Sequence, residues 1–210
     1  MSIFYCYAAA TAVCPRKAMQ RLAGEAHPAR AAAGAVGFVG VLYAGASIAL
    51  AACGAVPLTS VVLDIAPENY YVWQAIFALP FAFLAWAAAA CLVLLIVKKE
   101  KGRKAFQTFA GLAGIAAAAT LLVAWIPMAV ETFFVVAGMR QQEFVDILSA
   151  PGFWQCLYIS CYILAAAAAV VLLTLAAASG QFKKGRRFRS LVAGVFAAAV
   201  LAGGFALVIR

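Results

Sequence analysis

The sequence contains few charged residues, and acidic residues are especially scarce. Of its 210 residues, 11% are charged and only seven are acidic, whereas 68% are hydrophobic. Soluble domains carry roughly 25% charged and 45–50% apolar residues, so this composition excludes a water-soluble globule. It also excludes disordered, collagen-like and disulfide-scaffold proteins. The chain is therefore predicted to be a membrane protein. Its 52 alanines mean that much of its apolar surface comes from small side chains.

Residues that usually bind metals or perform catalysis are scarce as well. The single histidine, His27, excludes a haem that two histidines of this chain would hold. The six cysteines form no C-x-x-C pair, so the spacings of zinc and iron–sulfur sites are absent. The sequence shows no Ser/His/Asp set, no paired carboxylates and no Gly-rich phosphate loop. We therefore expect no enzyme activity and no catalytic, metal-binding or cofactor-binding residues.

Five long apolar segments dominate the chain. About 20 helical residues cross the roughly 30 Å hydrocarbon core of a bilayer. A backbone in lipid must make its hydrogen bonds within the segment, which favours helices, and no alternation of period two indicates a barrel. Residues 1–30 are expected to form a basic N-terminal segment, of which 2–24 lie on the membrane surface as an amphipathic segment. The sequence thus predicts an all-α polytopic bundle with spans at about residues 31–54, 72–97, 105–129, 153–179 and 190–209.

The basic residues predict the orientation of these spans. Fourteen of the sixteen lie before the first span or in the loops after the second and fourth. Short loops rich in Lys and Arg stay cytoplasmic, so we expect a cytoplasmic N-terminus and an external C-terminus in a prokaryotic inner membrane. Aromatic residues such as Tyr71, Trp73 and Tyr158 are expected at the outer interface.

The same residues account for the net charge of +9 without a nucleic-acid partner. Each basic residue near an anionic membrane surface contributes about 1 kcal/mol of attraction. We therefore interpret the three basic inner segments, the N-terminal one and two loops, as candidate contacts for anionic lipid headgroups or for partner proteins, and we name the individual residues of the two loops. Their residues are Lys98, Lys99, Lys101, Arg103 and Lys104 in one loop, and Lys183, Lys184, Arg186, Arg187 and Arg189 in the other.

Four further residues are candidates for a polar or kinked site. Gln74 lies near the outer start of the second span, and Pro80 is expected to kink that span. Pro127 lies near the end of the third span, and Glu131 follows four residues later. We favour Glu131 as an interfacial carboxylate that caps a short separate helix. If the third helix instead continues beyond Pro127, Glu131 lies at the outer margin of the membrane.

Small residues recur at helical spacing in two spans. Gly37 and Gly45 lie on one face of the first span, and Gly114 and Ala118 lie on one face of the third. Small faces let helix backbones approach closely in lipid. This pattern predicts tight packing within the bundle, or against other membrane subunits or a second copy of the chain.

One stretch carries a family resemblance. Residues 67–80, Pro-Glu-Asn-Tyr-Tyr-Val-Trp-Gln-Ala-Ile-Phe-Ala-Leu-Pro, resemble the prokaryotic branch of the Yip (Ypt/Rab-interacting protein) family of integral membrane proteins. The similarity extends to the order of parts, from the basic segment near Pro15 to the Pro151-Gly152-Phe153-Trp154-Gln155 start of the fourth span. The resemblance implies five transmembrane helices, and for prokaryotic members it implies no assigned activity and no site residues.

These patterns favour a non-catalytic membrane scaffold or accessory subunit. Two alternatives stay open. A small-solute transporter or channel is suggested by Pro80, Pro127 and Glu131, and it would need a water-filled cavity lined by Gln74, Thr120 or Ser160. A membrane anchor of a redox complex would carry its cofactors in other subunits.

Overall fold

The computed structural model describes residues 14–57, 65–97, 103–179 and 187–208, and within these ranges the chain is all-α. Five of its helices are long and apolar enough to cross a membrane, namely α2, α3, α4, α6 and α7 below. This confirms the predicted all-α polytopic bundle. The helices are α1 (Pro15–Ala23), α2 (Pro28–Ala52), α3 (Tyr70–Val97), α4 (Arg103–Val136), α5 (Gln141–Ser149), α6 (Phe153–Ser179) and α7 (Arg187–Val208), with a 3-10 turn at Pro67–Asn69.

The predicted spans end within three residues of the helices except at one place. The third span was predicted to end at residue 129, whereas α4 continues to Val136 with Pro127 inside it. A helical proline removes one backbone hydrogen bond, but neighbouring groups in a membrane bundle satisfy what it frees. The predicted end of the third span is therefore wrong. Pro80 likewise lies inside α3, which runs through it as one helix.

α4 is the central helix of the bundle. It packs against α2, α3 and α6, while α7 packs against α3 and α6. All residues from Phe109 to Ala118 are buried, because alanine and glycine on every side of α4 let its neighbours approach. We call the end where α2, α4 and α7 begin the inner end, and the opposite one the outer end, following the orientation expected from the basic residues.

α1 is an amphipathic helix that packs against α4 and α6. Its apolar residues Ala18, Met19 and Leu22 are buried, and Arg16 and Lys17 on the other side are exposed. Residues three and four apart share one face of a helix, which explains this division. The expected amphipathic segment therefore forms over Pro15–Ala23, but its apolar face is covered by the bundle and not by lipid. Residues 2–13 of that expectation lie outside the described residues.

The short helix α5 covers part of the outer end. Gly138 adopts φ +92°, a conformation that suits glycine, and so lets the chain turn sharply out of α4. Phe144 of α5 is fully buried, with its ring centroid 5.8 Å from that of Phe134 and 6.0 Å from that of Tyr158. These contacts fix α5 against α4 and α6.

Candidate functional site

Polar side chains from four helices lie buried in the outer half of the bundle. Ser47 comes from α2, Tyr71 and Gln74 from α3, Glu131 from α4 and Tyr158 from α6. We call these five residues the outer polar cluster. Because polar groups are costly in hydrocarbon unless they are partnered, their hydrogen bonds determine what the cluster does.

Glu131 is the charged residue of the cluster. The Tyr71 hydroxyl donates a hydrogen bond to Glu131 Oε1 over 3.0 Å, and Glu131 is only 9% exposed. The continuation of α4 past Pro127 carries Glu131 into contact with the first turn of α3. The favoured interpretation, a carboxylate that caps a separate short helix, is therefore wrong. Acidic residues in spans usually face the bundle interior and pair there, as Glu131 does.

Ser47 and Gln74 form the second contact of the cluster. Ser47 Oγ lies 2.9 Å from Gln74 Oε1 and 2.8 Å from the backbone oxygen of Tyr43. The serine hydroxyl carries one hydrogen and shares it between these two acceptors. Gln74 follows Tyr71 by three residues, which places both side chains on the same face of α3. Gln74, which was predicted near the interface, is 3% exposed and faces the interior of the bundle.

Two tyrosines donate to backbone carbonyls of α4. The Tyr158 hydroxyl donates to Pro127 O over 2.6 Å, and the Tyr43 hydroxyl donates to Leu121 O over 3.1 Å. These bonds join α6 and α2 to the central helix. Tyr71 and Tyr158, which were expected at the outer interface, are buried in the protein, and their hydroxyls find partners between helices.

The chemistry of the cluster is that of helix positioning. Its one carboxyl group, one amide and its hydroxyls contact one another or the backbone, and interhelical hydrogen bonds in membranes contribute about 0.6 kcal/mol on average and up to about 1.7 kcal/mol. In the part of the chain that the structure describes, no three His, Cys, Asp or Glu side chains come together as a metal site. Cys53 and Cys156 are exposed free thiols.

The predicted basic contacts are described only in part. Arg103 and Lys104 begin α4, Arg187 begins α7, and Arg189 is exposed in the first turn of α7. Six further basic residues lie outside the described residues, namely Lys98, Lys99, Lys101, Lys183, Lys184 and Arg186.

Some residues of interest at both ends of the bundle were not named from the sequence. Ser47, Tyr71 and Tyr158 were not among the candidate site residues, and the signal for Tyr71 was its three-residue spacing from Gln74. Arg16, Lys17 and Arg21 belong to a basic segment that was expected to bind lipid or a partner, but they were not named as individual contact residues, although all three are exposed on α1. Comparisons with protein-family models, with curated proteins and with solved structures found no match to this chain.

Proposed function

We propose that the protein is a non-catalytic, multi-pass scaffold or accessory subunit of a prokaryotic inner membrane, related to the Yip family. Its basic inner end binds anionic lipid headgroups or partner membrane subunits. One observation carries the proposal: cationic side chains are exposed at the inner end, while the side chains of the outer polar cluster bond to one another or to the backbone.

α1 holds three cationic side chains in place at the inner end. The buried face of α1 packs on the bundle and leaves Arg16, Lys17 and Arg21 exposed. Arg103 and Arg187 lie at helix N-termini, where the helix dipole disfavours cations and attracts anions. An anionic headgroup beside these residues relieves that repulsion. Anionic lipid therefore suits this end better than neutral lipid.

The three residues that were proposed to line a solute path either bond within the bundle or lie on its surface. Gln74 contacts Ser47, and the Thr120 hydroxyl donates to Ala116 O over 2.9 Å. Ser160 is exposed on the outside of α6. These contacts favour a positioning role for the polar residues. A transporter is kept as the second candidate because Glu131 is a buried carboxyl group between two spans.

Native mass spectrometry with defined lipids tests the lipid contact. We expect phosphatidylglycerol or cardiolipin to bind more tightly than phosphatidylcholine, and each neutralised cation to weaken binding about fivefold. Gln20→Ala, at an uncharged residue that is exposed on α1 between the cations, is the control and should leave anionic-lipid binding unchanged. Equal binding of anionic and neutral lipid, or an equal effect of the control, contradicts the proposal. Three triple variants are tested, each with its basic residues replaced by Gln. The three sets are Arg16, Lys17 and Arg21; Lys98, Lys99 and Lys101; and Lys183, Lys184 and Arg186.

Purification from native membranes in mild detergent tests the partner contact. We expect stable copurification of another membrane subunit or of a second copy. A lone monomer that is indifferent to anionic lipid would overturn the scaffold proposal. Haem or flavin in the copurified complex would favour the redox anchor, and solute uptake into proteoliposomes that Glu131→Gln abolishes would favour the transporter.

A further inference from the structure

An open groove lies between α2 and α4 in the outer half of the bundle. Its volume is about 590 Å³, within the roughly 300–1,000 Å³ typical of ligand sites. Nearer the inner end the two helices touch, since a Cβ at Gly114 would lie 2.6 Å from Ala32 Cβ. At Gly45 a Cβ would meet nothing within 4 Å. The walls and floor of the groove include Val41, Gly45, Ala46, Trp125, Ala129 and Phe133.

The length of the groove matches one leaflet of a bilayer. Its α4 side runs from Trp125 to Ala137, twelve residues along the chain. At 1.5 Å per residue this is about 18 Å, close to half of the roughly 30 Å hydrocarbon core. A partner helix that crosses the membrane would need a groove along both halves, and the inner half is closed. An acyl chain needs one half only.

A pair of opposite charges begins three residues beyond Ala137, the last residue that lines the groove, and so lies near its outer mouth. The Gln141 side chain hydrogen-bonds both backbone groups of Val56, which joins the α2 side to the α4 side. Arg140 immediately precedes Gln141 and lies three residues after Ala137. Its Nε donates to Glu143 Oε1 over 2.7 Å, and its Nη2 lies 2.5 Å from the same oxygen. The side chains are 83% and 46% exposed.

This pair keeps capacity for a ligand. The guanidinium has five N–H groups, and the two contacts to Glu143 leave three of them for an acceptor. The hydrogen bond from Arg140 lowers the pKa of the Glu143 carboxyl below its usual value, so that the carboxyl is ionised at neutral pH. The mouth of the groove therefore presents a positive and a negative group side by side.

We propose that the groove binds an outer-leaflet phospholipid whose zwitterionic headgroup carries a primary ammonium, as in phosphatidylethanolamine. One acyl chain lies between α2 and α4, the phosphate accepts hydrogen bonds from Arg140, and the ammonium donates to Glu143. The site goes beyond the proposed function because it concerns the opposite end of the bundle and a lipid of different charge.

Native mass spectrometry of the full chain, with phosphatidylethanolamine, phosphatidylcholine and phosphatidylglycerol offered in equal amounts, tests the site. We expect phosphatidylethanolamine to be retained best. Gly45→Leu places its Cβ in open space and the rest of its side chain in the groove, so it should abolish that preference, and Gly45→Ala should weaken it less. Gly34→Leu is the matched control, because Gly34 also meets nothing within 4 Å and lies on the same helix face eleven residues earlier.

Headgroup variants test the charged pair separately. Arg140→Gln and Glu143→Gln should each reduce phosphatidylethanolamine retention about fivefold. Equal retention of the three lipids, or equal losses in Gly34→Leu and Gly45→Leu, overturns the proposal. A dimer that Gly45→Leu disrupts also overturns it and assigns the groove to a second copy. Neutralising the basic residues of the inner end should leave phosphatidylethanolamine retention intact, so this test and that of the proposed function fail separately.

Discussion

The inner and outer halves of the bundle are held together in different ways. In the inner half, helix backbones approach at glycines: a Cβ at Gly111 would lie 2.6 Å from Pro28 Cβ, and one at Gly194 would lie 2.6 Å from the backbone nitrogen of Thr174. In the outer half, a Cβ at Gly45 or Gly203 would meet nothing within 4 Å, and one at Gly204 would meet a side chain, the Phe81 ring at 2.8 Å, and not a backbone. There the helices are joined by side-chain hydrogen bonds of the outer polar cluster.

This difference shows two solutions to one physical problem. Lipid gives helices no hydrophobic reason to associate, so they associate through close packing or through polar bonds. Small residues in the inner half bring backbones together and lose little side-chain entropy. Longer side chains in the outer half keep the helices apart and leave the groove beside Gly45. We call the close backbone contacts at Gly111 and Gly194 the inner seam. The outer half has no such contacts beside Gly45 and has room for a ligand.

The largest expected effect comes from breaking the inner seam. In Gly111→Val the new Cβ would lie 2.7 Å from the backbone carbon of Pro28, which no rotamer change relieves. We expect a loss of about 3 kcal/mol in the free energy of unfolding, the upper end of overpacking effects. Gly34→Val adds the same atoms in open space and serves as the control, with unfolding followed in mixed micelles. Similar losses for both variants would show that the seam has no special role.

The sequence was sufficient to predict the spans, for a physical reason. The thickness of the bilayer fixes how long an apolar segment must be, and α6 has the predicted bounds Phe153–Ser179. The end of α4 was not predictable in this way. Pro127 and Glu131 are both unfavourable in an isolated helix in lipid, and only neighbouring helices make them tolerable. The residues around Pro127 and Glu131 in the sequence do not indicate which helices will pack beside them.

The candidate site was predictable only as single residues. Gln74 and Glu131 stand out because they are polar residues beside or within apolar segments. Their partners Ser47 and Tyr71 are 27 and 60 residues away in the chain. Which residues meet depends on the rotation and order of the helices, and these follow from packing over the whole bundle.

A smaller effect is expected from the bond between Tyr71 and Glu131. Tyr71→Phe leaves the carboxyl group without this donor, and we expect a loss of about 2 kcal/mol in the free energy of unfolding. Glu131→Gln keeps an acceptor for the hydroxyl and should cost less. A double-mutant cycle of Tyr71→Phe with Glu131→Leu, which removes the acceptor, should give a coupling of about 0.6–1.7 kcal/mol, as for other interhelical bonds in membranes. A coupling of zero would mean that this bond does not help to hold the outer half together.

The smallest effect sharpens the comparison, because a tryptophan of the inner half also makes a polar bond. Gly114 makes room for the Trp86 indole, whose Nε1 donates to Ala110 O over 2.7 Å. Trp125 in the outer half has a buried Nε1 with no hydrogen-bond partner among the described residues. Trp86 and Trp125 therefore compare one indole that donates a hydrogen bond with one that does not.

Replacing each tryptophan by phenylalanine separates the bond from the bulk of the ring. Trp86→Phe should cost about 1 kcal/mol in the free energy of unfolding beyond what Trp125→Phe costs, because it removes a donor that is used. Trp125→Phe removes a buried donor that has no acceptor, which is near neutral or stabilising apart from the smaller ring. Equal losses would show that ring size decides both cases. A larger loss at Trp86 would show that glycine packing in the inner half also creates the space for a hydrogen bond.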